Sequence, residues 1–367
     1  ETTPCKPPAR TLLLKDLLDY AQHSLYQKTL FREVKMNIFS LNFMTSMMNR
    51  FAAVKKLMPW CLLLSAAVLF STLCSSAAVN GPDISAGSFN SEDLVLWVFG
   101  DLQPRNDHER EDFDTAVNDM ASMKNIDASL CMGDIIQAAT GENIEESFDW
   151  FYTAYRRTGI KEIYEIAGNH DARNIPGYTR ATGKPLHYSL QYGNLIIIML
   201  SDEEDSSGTD IPDPVFEWWK SIIENNRDKI IITVTHSHVA NTGFCYNFPS
   251  YRNLQGSERF TEVLKKEKVE LWLFGHTHIP SCLGQSKRRI YSLNGTVFMN
   301  AASIREDYFF SYSESRIIIL KNGSDEMTVK IRDHRNREYR DFFEESIRLK
   351  TKFRYNGVKP AMNVFTP

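Results

Sequence analysis

One pattern constrains this chain more than any other: a short apolar run, then glycine, then a carboxylate, amide or imidazole. Leu94-Val95-Leu96-Trp97-Val98-Phe99 runs into Gly100-Asp101-Leu102-Gln103, and Ala128 to Met132 runs into Gly133-Asp134. Lys161 to Ala167 runs into Gly168-Asn169-His170-Asp171. Residues 109–124 separate the first two runs, with Phe113, Val117, Met120 and Met123 at helical spacing. Residues 144–157 separate the next two and offer Phe148, Trp150, Phe151 and Tyr155 for packing. The order is β-α-β-α-β. Crossover helices imply parallel strands covered on both faces, and ligands of such sheets gather beyond the carboxyl ends of the strands.

The second half repeats the pattern. Tyr192-Gly193-Asn194 between two apolar runs over 186–200 predicts a hairpin, and 214–226 predicts a helix with Phe216, Trp219, Ile222 and Ile223 on its packed face. A strand over 229–235 ends at His236-Ser237-His238, and one over 270–274 ends at Gly275-His276-Thr277-His278. A polar, aromatic loop (243–256) and a helix near 258–266 lie between these two strands. Further strands are expected at 296–300, 309–320 and 327–332, with a helical tail beyond Tyr339.

Strand ends therefore supply Asp101, Gln103, Asp134, Asn169, His170, His236, His276 and His278. Each has an ordinary alternative: the aspartates as helix caps, Asn169 as a turn residue, His236 as a structural histidine. Their recurrence at successive strand ends argues for one shared site instead. Carboxylates, amide oxygens and neutral imidazoles are ligands of borderline divalent metals.

The formal net charge of −4 speaks against an extended nucleic-acid-binding face, and the 43% hydrophobic content supplies one large core or two small ones. Met48 opens a basic stretch with Arg50, Lys55 and Lys56, followed by an apolar run from Leu57 and a small-residue end at Ser76-Ala77-Ala78. That is the build of a secretory signal peptide over 48–78, or of an uncleaved membrane anchor over 57–79. Either version puts the chain from residue 79 onward outside the cytoplasm, in a secreted or periplasmic setting. Residues 1–47 then read as an upstream extension, unstructured or a short helix, and 79–92 as a linker. Of the six cysteines, Cys131 sits in an apolar strand, and a Cys245–Cys282 bridge stays open. Oligomeric state is not legible.

The ordered series Asp-x-Gln, Gly-Asp, Gly-Asn-His-Asp, His and Gly-His-Thr-His resembles the calcineurin-like metallophosphoesterase superfamily over roughly residues 93–335, leaving 336–367 as a C-terminal tail. The resemblance implies an α/β (α+β) fold, a four-layer αββα sandwich with a dinuclear metal site at the strand ends. It implies one metal held by Asp101, Gln103, Asp134 and His278, and another by Asp134, Asn169, His236 and His276. The cations expected are two divalent ions among Mn, Fe, Zn and Mg. Gln103 departs from the histidine many members carry, and position 137 lacks the tyrosine of the purple acid phosphatase branch. The implied activity is hydrolysis of a small phosphorylated substrate, a phosphomonoester or phosphodiester, by a bridging hydroxide. A non-catalytic binding protein of the same fold is the alternative. His170 would protonate the leaving oxygen, with Asp171 orienting it or capping a helix. His238, Arg105 and Arg173 stand near the blocks as substrate contacts or as ordinary loop residues. In the loop from Asn241 to Asn253, Phe244, Tyr246, Phe248, Tyr251 and Arg252 would stack a base or sugar beside the metals, or pack on one another.

Overall fold

The computed structural model describes residues 92–205, 207–242, 252–281, 292–306, 312–340 and 344–367. Residues 1–91, where a signal peptide or anchor is expected, Cys245, Cys282 and most of the aromatic loop (243–251) lie outside the described residues.

β1 (Leu94–Phe99), β2 (Ala128–Cys131) and β3 (Glu162–Glu165) are parallel neighbours, with α1 (Asp107–Met120) and α2 (Ile144–Arg156) as crossovers. Asn106 and Asn143 start those helices by accepting the N–H of Glu109 and Glu146. After β3 come a 3-10 turn, Asp171–Asn174, and α3 (Ile175–Thr182), neither of which the apolar pattern announced. The hairpin β4 (His187–Tyr192) and β5 (Leu195–Leu200) leads to α4 (Asp213–Asn225), β6 (Ile230–Val234), α5 (Ser257–Leu264) and β7 (Leu271–Phe274). The remaining strands are β8 (Ser292–Leu293), β9 (Thr296–Asn300), β10 (Glu314–Leu320), β11 (Glu326–Asp333), β12 (Glu338–Tyr339), β13 (Glu345–Arg348) and β14 (Ala361–Val364).

These strands form two mixed sheets. One runs β12-β11-β10-β1-β2-β3, with β13 also on β11; the other runs β14-β4-β5-β6-β7-β9-β8. The alternation within each apolar run explains the layering. Leu94, Leu96 and Val98 of β1 meet Leu195, Ile197, Ile232 and Leu273 in the core between the sheets. Val95, Trp97 and Phe99 face the other way, onto α1 and α2, while Ile196, Ile198 and Trp272 face α4 and α5. Both sides of β1, β5, β6 and β7 are buried, so those runs are continuously apolar. The result is the expected αββα sandwich. Among the described residues no helix is long and apolar enough to cross a membrane.

The helical tail is corrected. Residues beyond 339 supply β13, paired with β11, and β14, paired antiparallel with β4. Ile347, Leu349 and Phe353 sit in the core between the sheets. Ile347 and Leu349 are two residues apart, the period of a strand and not of a helix.

Parallel register sets the loops level. Phe99 pairs with Cys131 and Cys131 with Glu165, while Val234 pairs with Leu273. The turns after β1, β2, β3, β6 and β7 therefore open at one end of the sandwich.

Candidate metal centre

Each turn starts with backbone bonds that tie it to its neighbour. Asp101 N–H donates to Gly133 O at 3.0 Å, and Leu102 and Gln103 both donate to Asp134 O at 2.8 Å. Asp101, Asp134, His276 and His278 all hold left-handed backbone, with φ between 51° and 65°. Non-glycine residues adopt it at a cost of order 1–3 kcal/mol each, a strain that collects at functional sites. The glycines before them serve mainly as space. A methyl group on Gly168 would collide with Asp134 Oδ1, and one on Gly275 with Asp101 Oδ2.

Two buried groups result: Asp134 with His236 and His276, and Asp101 with Asp134 and His278. Asp134 is common to both. In the first, His236 Nε2 lies 3.2 Å from Asp134 Oδ2, 3.2 Å from Asn169 Oδ1 and 3.1 Å from His276 Nδ1. In the second, His278 Nε2 lies 3.4 Å from Asp101 Oδ1 and 3.0 Å from the Gln103 amide nitrogen. The structure thus brings together Asp101, Gln103, Asp134, Asn169, His236, His276 and His278, in the two sets the motif series implied.

The surroundings fix which ring nitrogens face the centre. His236 Nδ1 sits 2.7 Å from Met132 O, so it carries a proton there and Nε2 faces the centre. His276 Nε2 has Ser207 O at 2.9 Å and Arg252 Nε at 3.1 Å. Ser207 O only accepts and Arg252 Nε only donates, so Nε2 serves one of them; when it donates to Ser207 O, the Nδ1 lone pair faces inward. Burial, then the positive neighbours His236 and Arg252, hold the His276 pKa well below its ordinary value and keep the ring neutral.

His236 Nε2, His276 Nδ1, the Asn169 amide oxygen and the shared Asp134 carboxylate consequently point at each other, with only the proton that this field draws onto His236 between them. Asp101 Oδ2 and Gln103 Oε1 are also buried without a hydrogen-bond partner. Such a set is costly unless a cation fills it. Burial disfavours a charged His236, yet Asp134, Asp101 and Asp202 outweigh it and push its pKa up to about 10. Asp134 is held well below the usual carboxylate range, against its own burial, by His236, His170 and His276. A field that favours a proton this strongly favours any cation. Ligand atoms 3.1–3.4 Å apart here have the spacing of neighbours around one ion bonded at about 2.1 Å. The residues fit divalent metal.

His170 lies at the edge of this centre, one-fifth exposed, with Nε2 3.9 Å from Asp134 Oδ2. Its N–H donates to Asp134 Oδ1 at 2.9 Å, and its Nδ1 is 3.3 Å from Gln137 O. Burial lowers its pKa, with Asp134 opposing. Asp171 does not orient it. That carboxylate is buried and accepts the backbone N–H groups of Ile135, Ile136 and Gly168 at 3.0–3.2 Å, bracing the turn that carries Asp134. Burial and the nearby Asp134 raise its pKa. Nor does it cap a helix, since its side chain reaches across to another strand's turn. The group that orients His170 is a backbone carbonyl, which no side-chain motif announces.

The three residues read as possible substrate contacts each have a partner within the chain. Arg105 makes a bidentate pair with Glu109, four residues on. Arg173 donates to Gln137 O at 3.0 Å and pairs with Asp205 at 3.2 Å. His238 is buried against Phe274, ring centroids 5.5 Å apart; burial and Arg252 lower its pKa to about 4. Arg252, by contrast, lies on the centre, its NH2 donating to His276 O at 3.1 Å. Asp202, after β5, is a strand-end carboxylate that the glycine-led pattern misses, because serine precedes it. Its N–H donates to Ala167 O at 2.9 Å, and burial pushes its pKa up to about 7 against His236 and Thr209.

The sequence model of the calcineurin-like phosphoesterase family (Metallophos) matches residues 94–280, about half of the chain. No curated protein matches. Among solved structures, the chain is similar to the purple acid phosphatase PPD1 from yellow lupin (Lupinus luteus) seeds, at 15% identity and TM-score 0.51 over 71% of this chain and 54% of that one. The chain thus spans about half the length of that phosphatase. It is also similar to GAP50, described as the anchor in the inner membrane complex of Plasmodium, at 11% identity and TM-score 0.52 over 71% of this chain and 90% of that one. At these identities the likeness is one of fold.

Proposed function

Because the chain belongs to the calcineurin-like phosphoesterase family, we propose that it is a metal-dependent hydrolase of phosphomonoesters or phosphodiesters with a dinuclear centre. One cation would be held by Asp101, Gln103, Asp134 and His278, and the other by Asp134, Asn169, His236 and His276. The observation that carries this is the convergence of buried lone pairs and carboxylates on two points that share Asp134. When bound, a pair of divalent cations supplies a nucleophilic hydroxide at neutral pH and neutralises charge on the phosphoryl oxygens. Met132 O and Ser207 O keep His236 and His276 in the ligating tautomer. Gln137 O accepts from His170 Nδ1–H, so a further proton taken from solvent sits on Nε2, and the imidazolium gives that proton to the leaving oxygen. We read the protein as exported, from the basic-apolar-small order of residues 48–78. An uncleaved anchor over 57–79 gives the same exposure to the outside.

The test is reconstitution of the purified chain with Mn²⁺, Zn²⁺, Fe²⁺ or Mg²⁺ and assay of mono- and diester substrates. Metal-dependent turnover is expected with at least one ion. His170→Ala is expected to lose about 10²–10⁴-fold on esters of poor leaving groups and far less on activated aryl esters. A second reading, a binding protein that kept the fold, draws on Gln103 in place of histidine and on GAP50 being described as an anchor. Folded, metal-loaded protein with no turnover of any ester would establish that reading over ours.

A further inference from the structure

The turn after β9 supplies no candidate ligand, but it joins two of the turns that do. β9 lies parallel to β7 with Asn300 level with Phe274, so this turn opens beside Gly275-His276-Thr277-His278. The Asn300 amide is used within the chain: Nδ2 donates to Thr277 Oγ1, and Oδ1 accepts the N–H of Ala302 at 2.6 Å. Ala302 holds left-handed backbone, φ 65°, the same strain that the candidate ligands carry. The next three residues reach the loop after β1. Ser303 Oγ–H is shared between Asp101 O at 2.9 Å and Arg305 O at 2.7 Å. Ile304 N–H donates to Gly100 O at 3.2 Å, and Arg305 NH1 donates to Gln103 O at 2.6 Å. Arg305 is only 8% exposed, and its Nε has no hydrogen-bond partner. Its nearest carboxylate, Glu109 at 3.8 Å, already pairs with Arg105. A buried charge so loosely paired is costly, and the short charge-assisted bond to Gln103 O is what it gains. That carbonyl belongs to the residue whose amide oxygen is buried in the centre without a hydrogen-bond partner.

We propose that Arg305, with Ser303, is a positioning residue for the ion site of Asp101, Gln103 and His278, and sets the affinity of that site and not of the one on His236 and His276. The inference rests on the dinuclear reading above. Asp101 and Gln103 hang from one turn and His278 from another, and the loop from Asn300 to Arg305 is bonded to both. Among the described residues no hydrogen bond runs from 300–305 to the turns of Asp134, Asn169 or His236. Asn300 bears on both sites, because His276 shares the turn of Thr277 and His278. Arg305 and Ser303 grip only the main chain of Asp101 and Gln103, so they separate the two. Fixing the carbonyls of these residues fixes where their side chains start. Groups that orient a ligand from behind are worth about 10–100-fold in metal affinity.

The experiment is a calorimetric titration of Mn²⁺ into the chelator-stripped full chain, where two binding events are expected. In Arg305→Ala one of them should weaken by about 10–100-fold. The other should move by no more than about twofold, as for independent sites. Ser303→Ala leaves the guanidinium in place and should weaken the same event by less; Ser303→Thr keeps the hydroxyl and should restore it. His278→Ala identifies the event. With that ligand gone one tight ion should remain, and adding Arg305→Ala should change its affinity by no more than about twofold. Should Arg305→Ala fail to fold by circular dichroism, Ser303→Ala and its threonine rescue decide the same question. Equal weakening of both events, no weakening of either, or a further loss in the double variant overturns the positioning role and leaves the dinuclear reading intact. A parent chain that binds fewer than two ions removes both.

Discussion

Two buried clusters in this chain are built from the same residue types and do opposite things. At the strand ends, aspartates and histidines converge with acceptors facing acceptors. Between β1, β10, β11 and α1, Asp119 accepts from Arg332 Nε at 2.8 Å and from Arg332 NH2 at 2.6 Å. It also accepts from His334 Nδ1 at 2.8 Å; His334 Nε2 faces Ser315 Oγ at 2.8 Å, and Trp97 Nε1 donates to that same oxygen at 2.9 Å. Serine, histidine and aspartate in that order look like a hydrolytic triad, but Ser315, His334 and Asp119 have no solvent exposure and every polar atom of the relay has a partner within the chain. It is a satisfied polar joint between α1 and the sheet. A site is marked by buried acceptors that lack a proton or cation, and not by which residue types are close together.

The contrast can be broken, beginning with the largest effect. Asp134→Asn is expected to cut metal-dependent turnover roughly a thousandfold, about 4 kcal/mol of transition-state stabilisation, with little change in far-ultraviolet circular dichroism. Full activity in that variant would contradict a shared ligand. Asp119→Ala should do the reverse. It strands Arg332 in a buried site, so denaturant unfolding should show a loss of about 3–5 kcal/mol, while turnover per folded molecule stays near that of the parent.

Metal addition separates the clusters by linkage. At an ion concentration about a hundred times Kd, stability should rise by about 2.7 kcal/mol in the parent and in Asp119→Ala, and by far less in Asp134→Asn. Calorimetry with and without chelator measures it. An equal shift in all three proteins would put the stabilising ion elsewhere.

The smallest effect is a pH dependence. Burial works against a charged Asp119, but Arg332 and His334 outweigh it and lower its pKa in the folded chain. The carboxylate therefore binds protons less readily folded than unfolded. Its contribution is full above the unfolded value of about 4 and fades as pH falls through the lower folded value. The stability gap between the parent and Asp119→Asn should accordingly narrow only below about pH 4. A gap that narrowed on raising the pH would give the linkage the wrong sign.

Much of the architecture was legible because its causes are local. A run such as Leu195 to Leu200 is apolar at every position since β5 is covered on both faces, and the hairpin turn at Gly193-Asn194 reads from two residues. The tail reads wrongly as helix because Ile347, Leu349 and Phe353 show their strand character only against the sheet they complete. The candidate ligand residues were legible for the same local reason: each lies within the turn that follows its own strand.

What the sequence determined, then, is which side chains stand at the ends of which strands, because strand, glycine and ligand are contiguous and the parallel order levels their ends. Tertiary structure alone decided what those side chains meet. Asp171 braces Ile135 and Ile136 instead of His170, Arg173 turns to Asp205, and carbonyls of Met132, Gln137 and Ser207 choose the imidazole protons. Several of these partners lie more than thirty residues apart in the chain, and three are backbone atoms that every residue carries. Neither separation nor a common carbonyl leaves a mark in a string of residue types.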